Sequence, residues 1–435
     1  MTIKELYKLF IQFDTVVTDT RAIVPNSLFF ALKGNSFNGN LFAKEALNKG
    51  AKYAIVDENI DSLDSRLILV NNVLETLQNL ANYHRRQLNI PVIGITGTNG
   101  KTTTKELIFT TLLQKYNAIA TEGNLNNHIG VPLTLLKIKK QHEIAIVEMG
   151  ANHLGEIAEL CKIAEPNYGI ITNVGKAHLE GFLSFENIIN TKLDLYRFVE
   201  SVKGINFILK ENSEFNDFIE KPNFINYSYK DSTANNYGKG EINDSFLKFT
   251  LEKIGDININ KISINTKIVG LYNQSNLLAA ITIGNYFKVP LDKIKLALEN
   301  YTPSNNRSQL IETTRNKLIL DAYNANPTSV KNALENFKEI GHPKKKIILA
   351  DMLELGNFSS EEHQKITEQV IDTNIEAILI GPEFSKTKLK NKKIIRKYAL
   401  TQELIDSCSL NNIKDSLILI KGSRGMKLEK LTKYL

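Results

Sequence analysis

The sequence predicts an α/β protein of three domains, a small α/β module followed by two larger units built on parallel sheets. Three observations carry this. The chain has 435 residues, against a soft prior of roughly 150 per domain. Continuous apolar runs of strand length alternate with helical segments, which is the pattern of parallel sheets covered on both faces. The pattern also breaks near residues 89 and 305, giving domains over 1–88, 89–305 and 306–435.

In the first domain, short apolar runs at 27–32, 53–56 and 67–70 read as strands, 42–49 reads as a helix, and a polar helix over 73–87 ends before Pro91. The second opens on the buried-strand run Val92-Ile93-Gly94-Ile95-Thr96, with a helix beginning near Lys101. Strand 144–148 then precedes helix 155–164, and strand 168–174 precedes helix 185–199. Beyond these, 246–249 and the alternating Ile257, Ile259, Ile262 and Ile264 read as antiparallel strands, entered through a polar loop at 229–245. The third domain alternates again: strand 317–321, helix 329–340, strand 346–351, helix 361–372, strands 377–381 and 417–421, and a closing helix over 426–435. In such doubly wound units ligands sit beyond the carboxyl ends of the strands.

Composition excludes several classes. No apolar run approaches the ~20 residues that span a bilayer, and the acidic, site-less N-terminus does not read as a signal peptide. Cys161 and Cys408 match no metal or redox spacing and fit a reducing interior, so a cytoplasmic placement is expected. The net charge of +7 raises nucleic acid as a partner. The basic residues are scattered, however, apart from lysine clusters at 137–140, 344–346 and 390–397, and there is no Trp. A positive field suits a highly anionic small substrate equally well, and no nucleic-acid partner is expected.

Chemistry concentrates at strand ends. Val92–Glu106 reads VIGITGTNGKTTTKE, a buried strand running into a glycine turn and a helix start. Glycines let backbone N–H groups converge on phosphate oxygens, the helix N-terminus adds positive potential, lysine reaches the outer phosphates and threonine binds magnesium. Ile95 occupies the place of the first glycine of the eight-residue phosphate-loop pattern, so Gly97, Thr98, Asn99, Gly100, Lys101, Thr102 and Thr103 form a shortened variant. Glu148, at the end of the next strand, can hold Mg²⁺ directly or through water. His178, in NVGKAHLEG, faces the same crevice and is a candidate second magnesium ligand. Asn273 in GLYNQSN either caps the following helix or hydrogen-bonds a purine edge. DAYNANPTS at 321–329 carries more polar side chains than capping requires and reads as a site.

Taken in order, GTNGKTT (97–103), NLNNHIGVPLTLL (124–136), EMG (148–150), NVGKAHLEGF (173–182), LYNQSNLLAA (271–280), NNRSQ (305–309), DAYNANPTS (321–329), ADMLELG (350–356) and KGSRGM (421–426) resemble the Mur ligase family, the ATP-dependent amide-forming enzymes of peptidoglycan precursor synthesis. The resemblance covers essentially the whole chain. It implies a UDP-binding first domain, a central P-loop-type ATPase domain and a C-terminal Rossmann-like domain. The 321–329 and 350–356 stretches resemble the member that adds the terminal dipeptide, implying UDP-N-acetylmuramoyl-tripeptide and D-alanyl-D-alanine as substrates and a monomer as the working form.

Carried over by motif, Lys101 would bind the β and γ phosphates, with Thr102 and Glu148 on one Mg²⁺. His178 would hold a second, bridged by Lys192 as a carbamate; nothing local marks Lys192, in TKLDLYRF, as special. Lys101, Lys192 and His178 would be the catalytic set. Asn273, Arg307, Asp321 and Tyr323 would contact ATP. Thr18, Thr20 and Arg21 resemble the uridine-diphosphate site, while Asn124, Asn126, Asn127, Asn324 and Asn326 would face the other substrate groups. Two stretches depart from the family pattern. Tyr272 stands where the family often has His, and Asn38-Gly39-Asn40 replaces the usual Asp-Gly-His/Asp. The implied reaction is attack of the tripeptide carboxylate on the γ-phosphate, then of the dipeptide amine on the acyl phosphate. Its rivals are a related ligase taking another amino acid, such as diaminopimelate, lysine or glutamate, and a nucleic-acid-dependent NTPase.

Overall fold

The computed structural model describes residues 1–60, 64–255, 257–304, 306–389 and 394–435. Asn305 of the NNRSQ motif and the first lysines of the 390–397 cluster (Lys390, Lys392 and Lys393) lie outside the described residues.

The first sheet is parallel, in the order Val16–Val17, Leu28–Phe30, Tyr53–Val56, Leu67–Leu69. Its side chains alternate between two cores, as a strand period of two requires. Leu28 and Phe30 pack beneath helices Ile3–Phe13 and Val73–Leu88, while Phe29 meets Ala43, Ala46 and Leu47 of helix Ala43–Asn48. A Thr2/Glu5 capping box starts the first helix. Helix Val73–Leu88 also joins this module to the next. Its buried Arg85 donates to the carbonyls of Ala164 (3.2 Å) and Glu165 (3.2 Å) and to Asn167 Oδ1 at 2.8 Å. The guanidinium thus satisfies the orphan carbonyl end of helix Glu156–Ala164.

The central sheet has nine strands, in the order 257–269, 246–254, 236–243, 224–228, 205–209, 168–171, 92–96, 144–148, 118–120. From Asn236–Asn243 to Ala118–Ala120 the pairing is parallel, and the last two strands added, Phe246–Ile254 and Ile257–Val269, run antiparallel. Val92–Thr96 and Ile144–Glu148 are buried throughout, which explains their unbroken apolar sequences.

The loop expected at 229–245 is corrected by the structure: Asn236–Asn243 is a strand. It turns into its partner through Asp244 and Ser245, whose φ values of 47° and 77° are those of a primed two-residue hairpin turn. The segment looked too polar because its outer half alternates exposed and half-buried residues, and an averaged hydrophobicity hides a period-two pattern.

The third sheet runs Gln309–Glu312, Lys317–Asp321, Leu417–Lys421, Lys345–Ala350, Glu376–Ile380, Ile395–Tyr398, parallel except for the first pair. Its two edge strands are short and carry too little apolar pattern to stand out in the sequence. The closing α-helix expected over 426–435 is a second correction. Two 3₁₀ turns, Arg424–Met426 and Leu428–Lys433, replace it, separated by Lys427 at φ 54°. Buried Leu428 and Leu431 stand three apart, the spacing that aligns on a 3₁₀ turn. Among the described residues no helix is long and apolar enough to cross a membrane.

Candidate active site

Strand Val92–Thr96 delivers the glycine loop to the middle of the central sheet. Gly97 takes φ +147°, and a Cβ there would lie 2.0 Å from Thr172 Oγ1, so both backbone and space demand glycine. The neighbouring strand end moulds the loop. Thr98 N–H donates to Asn173 O at 2.9 Å, Asn99 N–H to Asn173 Oδ1 at 3.0 Å, and Thr172 Oγ1 to Asn99 O at 2.7 Å. Gly100, at φ +78°, opens helix Lys101–Leu112, which has no side-chain cap and leaves its N-terminal N–H groups for a ligand. Lys101 Nζ donates to the carbonyls of Gly97 (2.7 Å) and Thr98 (3.0 Å), and burial brings its pKa down to about 8.

This loop forms one wall of a cleft of about 540 Å³. Thr98 to Thr103, Asn124, Asn126, Asn127, Glu148, His178, Asn273, Arg307, Asp321, Tyr323 and Asn324 all line it. Residues spread over more than 200 positions of sequence therefore converge on one space. Gly97, Lys192 and Asn326 are not among its lining residues, although Gly97 and Asn326 bond to Lys101 and Asn99, which are.

Glu148 carries the clearest metal signal. Asn126 Nδ2 donates to its Oε1 at 2.8 Å, while its buried Oε2 has no hydrogen-bond partner among the described residues. An orphaned carboxylate oxygen, in a cleft that Thr102 also lines, is costly unless a cation completes it, so these residues fit Mg²⁺. Asn127 acts on the backbone instead. Its Oδ1 accepts from the N–H groups of Ile129 (3.1 Å) and Gly130 (2.9 Å), starting helix Gly130–Leu136. His178 sits in the left-handed region at φ 50°, its Nδ1 2.6 Å from Glu354 Oε2 but out of hydrogen-bond alignment. The imidazole holds Glu354 below the usual carboxylate range.

Lys192 is buried in helix Phe185–Ser201. Burial, helped by the Lys101 cation, pulls its pKa down to about 7. Among the described residues its Nζ makes no hydrogen bond or ion pair; its contact is the Phe182 ring, 5.8 Å away.

The third region supplies the opposite wall. Buried Lys421 donates to Asp321 Oδ2 at 2.6 Å and to Asn324 O at 3.3 Å. The Tyr323 ring has the Arg307 guanidinium over it at 3.7 Å and that of Arg424 at 5.4 Å. Asn326 caps helix Pro327–Glu339 through Ser329 N–H and donates its amide to Asn99 Oδ1 at 2.8 Å. Thr328 accepts from Lys176 N–H at 3.3 Å, and Lys176 pairs with Glu362 at 3.5 Å.

Of the two readings of Asn273, capping is not realised, since helix Gln274–Tyr286 has no side-chain cap. Its amide donates to Val269 O at 2.8 Å and its oxygen accepts from Asn276 at 2.8 Å. Asn276 in turn takes Thr104 Oγ1 at 3.1 Å, tying the pair to the phosphate-loop helix. Tyr272 is half-buried at the cleft wall, bonded to Ser308 Oγ at 2.8 Å.

Thr18, Thr20 and Arg21 are not in this cleft. Thr18 lines a second one, with Asp19, Leu133, Lys137 and Lys139. Arg21 is exposed and paired with Asp19 at 2.6 Å, and Thr20 lines neither. Asn38 and Asn40 are structural: Asn40 exchanges bonds with Asp57, donating at 2.8 Å and accepting at 3.0 Å. Sequence reasoning singled out neither Lys421, Arg424, Ser308, Asn276 nor Glu354. Each lies in or beside a quoted motif, but a single charged or polar residue there carries no local signal.

A glycine loop opening a helix at the switch of a parallel sheet, an orphaned carboxylate in the same cleft and a Rossmann-like third region across from them are the parts that an ATP-using enzyme of the ligase type needs. The chain belongs to the Mur ligase family. Three family models match it in succession: "Mur ligase family, catalytic domain" over 12–96, "Mur ligase middle domain" over 95–284 and "Mur ligase, glutamate ligase domain" over 306–424. It is 34% identical to the UDP-N-acetylmuramoyl-tripeptide–D-alanyl-D-alanine ligase of Bacillus subtilis (strain 168), covering 97% of this chain and 92% of that one. The Escherichia coli (strain K12) ligase of the same name is 31% identical, with 99% and 95% covered. MurF from Acinetobacter baumannii superposes with a TM-score of 0.87 at 27% identity, over 97% and 93% of the two chains. The MurF ligase of Thermotoga maritima in complex with ADP gives 0.85 at 26%, over 97% and 96%.

Proposed function

We propose that this protein is the ATP-dependent ligase that joins D-alanyl-D-alanine to the terminal carboxylate of UDP-N-acetylmuramoyl-tripeptide during peptidoglycan precursor synthesis, working as a cytoplasmic monomer. The observation that carries this is the end-to-end likeness to ligases of that name, with the phosphate loop and the third-region motifs facing one cleft. The domain division at 88/89 and 305/306 belongs to the same proposal, as do the two free cysteines in a reducing compartment.

Lys101 exchanges the loop carbonyls for the β and γ phosphates of ATP, and the N–H groups of residues 100–103, at the uncapped helix start, cradle them. Thr102 and Glu148 would hold one Mg²⁺, and His178 with Lys192 a second. Bound there, the ions would supply charge neutralisation for the triphosphate and for phosphate transfer. Lys192 carries a carbamate: its neutral amine adds to CO₂, releasing a proton, and the Lys101 cation that disfavours an ammonium there favours the new anion. Arg307 and Lys421 add positive charge beside the phosphates, and Asp321, Tyr323 and Asn273 contact the nucleoside. Thr18, Thr20 and Arg21 serve the uridine-diphosphate end, and Asn124, Asn126, Asn127, Asn324 and Asn326 the peptide groups. The tripeptide carboxylate attacks the γ-phosphate, giving ADP and an acyl phosphate. The dipeptide amine then attacks the acyl carbon, forming the amide and expelling phosphate. An acyl phosphate hydrolyses readily, so the third region, resting on 173–180, keeps water out.

The decisive assay supplies ATP, Mg²⁺ and D-alanyl-D-alanine with the lysine- or the diaminopimelate-containing tripeptide nucleotide and follows phosphate. Release with one of them is expected. Silence with both, alongside release with a free amino acid as acceptor, would overturn the reading.

A further inference from the structure

Two loops of the third region abut where it closes on the cleft. Leu353 N–H donates to Ser423 Oγ at 3.0 Å, Ser423 N–H to Asp351 O at 3.3 Å, and a Cβ on Gly425 would lie 3.2 Å from Leu353 Cδ1. The first loop is anchored from behind. Asp351 accepts the N–H groups of Glu383 and Phe384, both at 2.9 Å, and buried His363 accepts that of Met352 at 3.0 Å.

Each loop offers one charged side chain to the cleft, Glu354 and Arg424. Glu354 is held at φ +63°, a left-handed conformation that a non-glycine residue adopts at a cost. Its side chain is 59% exposed and stands beside His178. The Arg424 guanidinium makes no hydrogen bond or ion pair among the described residues; its contact is the Tyr323 ring. The other third-region carboxylate of the cleft, Asp321, is already matched by Lys421. Glu354 and Arg424 are thus an anion and a cation on neighbouring loops, both aimed at the same space, and the reaction chemistry of the cleft uses neither.

We infer that Glu354 and Arg424 hold the two ends of the acceptor, a zwitterionic dipeptide, with its ammonium on Glu354 and its terminal carboxylate on Arg424. This rests on the ligase reading above. The acyl carbon is generated in front of Lys101 and Glu148, so the amine must arrive beside His178, where Glu354 provides the third region's available anion. The far end of the dipeptide then needs a cation on the same wall, and a planar guanidinium matches a carboxylate through two parallel bonds. Both loops are fixed to one another, so the distance between the charges is set by the fold and selects acceptor length.

The test compares D-alanyl-D-alanine with D-alanyl-D-alaninamide, which keeps the amine and lacks the terminal charge. For the unaltered enzyme the amide should be the poorer acceptor by about 30-fold in kcat/KM, the worth of one charge-assisted pair. Arg424→Ala should lose that preference, using both acceptors alike, and Arg424→Lys should restore part of it. Arg424→Ala that keeps the full preference would overturn the assignment. Glu354→Gln should raise KM for the dipeptide about tenfold or more. It should leave unchanged the hydroxamate formed when ATP and the tripeptide nucleotide react in the presence of hydroxylamine without dipeptide. An equal loss of hydroxamate would place Glu354 on His178 rather than on the acceptor and overturn its share. Unaltered enzyme that makes hydroxamate but no amide with the dipeptide refutes the acceptor of the ligase reading itself, a result distinct from either variant's.

Discussion

The side-chain amide of Asn326 donates to Asn99 Oδ1 at 2.8 Å, joining the helix cap of the third region to the tip of the phosphate loop. The same Asn326 accepts Ser329 N–H at 2.9 Å, so one residue both starts a helix and reports on the loop. Asn326→Asp separates the two. The carboxylate keeps the cap but loses the donor and adds negative charge near the phosphates. KM for ATP is expected to rise about tenfold, from one lost hydrogen bond plus repulsion, with the melting temperature nearly unchanged. Unaltered nucleotide kinetics would show that the bridge is incidental.

Lys101→Ala is expected to abolish turnover, and normal activity in that variant would remove the phosphate-loop assignment. The unaltered enzyme supplies a subtler check. Burial favours the neutral amine and brings the Lys101 pKa to about 8, so the ammonium is present below that pH and lost as pH rises through it. Thus kcat/KM for ATP should fall above about pH 8, because it reports the free enzyme. The bound triphosphate restores the ammonium, so kcat should hold to higher pH.

Glu148→Gln removes a charge whose Oε2 has no partner among the described residues. The Mg²⁺ concentration for half-maximal activity should rise about tenfold or more, since an amide is a far poorer ligand for a hard cation. The melting temperature of the metal-free protein should hold or rise, because a buried anion has been neutralised. A variant with unchanged magnesium dependence would take Glu148 out of the metal site.

Lys192→Ala should lose activity and regain part of it when short carboxylic acids are added, because a small carboxylate can occupy the place of the carbamate. Complete absence of rescue, with the fold intact by circular dichroism, would count against the modification.

Gly97→Ala puts a methyl 2.0 Å from Thr172 Oγ1 at a φ of +147°. A loss of roughly 2 kcal/mol or more in unfolding free energy is expected, with nucleotide binding lost as well. Denaturant titration and ADP binding measure the two separately.

The sequence displayed what local chemistry can display. Gly97 to Thr103 are recognisable because strand, glycines, lysine and helix start are contiguous, and Val92–Thr96 reads as buried because both faces are covered. Lys192 is different: TKLDLYRF is an ordinary helix, and only packing reveals that its amine is enclosed. The partnership of Asp321 with Lys421 spans 100 positions, a distance over which a single sequence carries no pairing signal. The strand Asn236–Asn243 escaped because its exposed face is polar, and the closing helix was overestimated because leucines three and four apart suit an α-helix as well as a 3₁₀ turn.

The hairpin that extends the central sheet does more than widen it. Val269 lies within the apolar core of the third region, with Ile242 and Phe246 packed against it, whereas on the other side that region meets 173–180 through a few polar bonds and small side-chain contacts, such as Gly356 against Glu180. A close-packed apolar core holds its partners firmly, whereas isolated polar bonds can be traded for water at small net cost. The joint between the two halves is therefore anchored at the hairpin and lightly fastened at the cleft, so the seam that faces substrate is the weaker of the two.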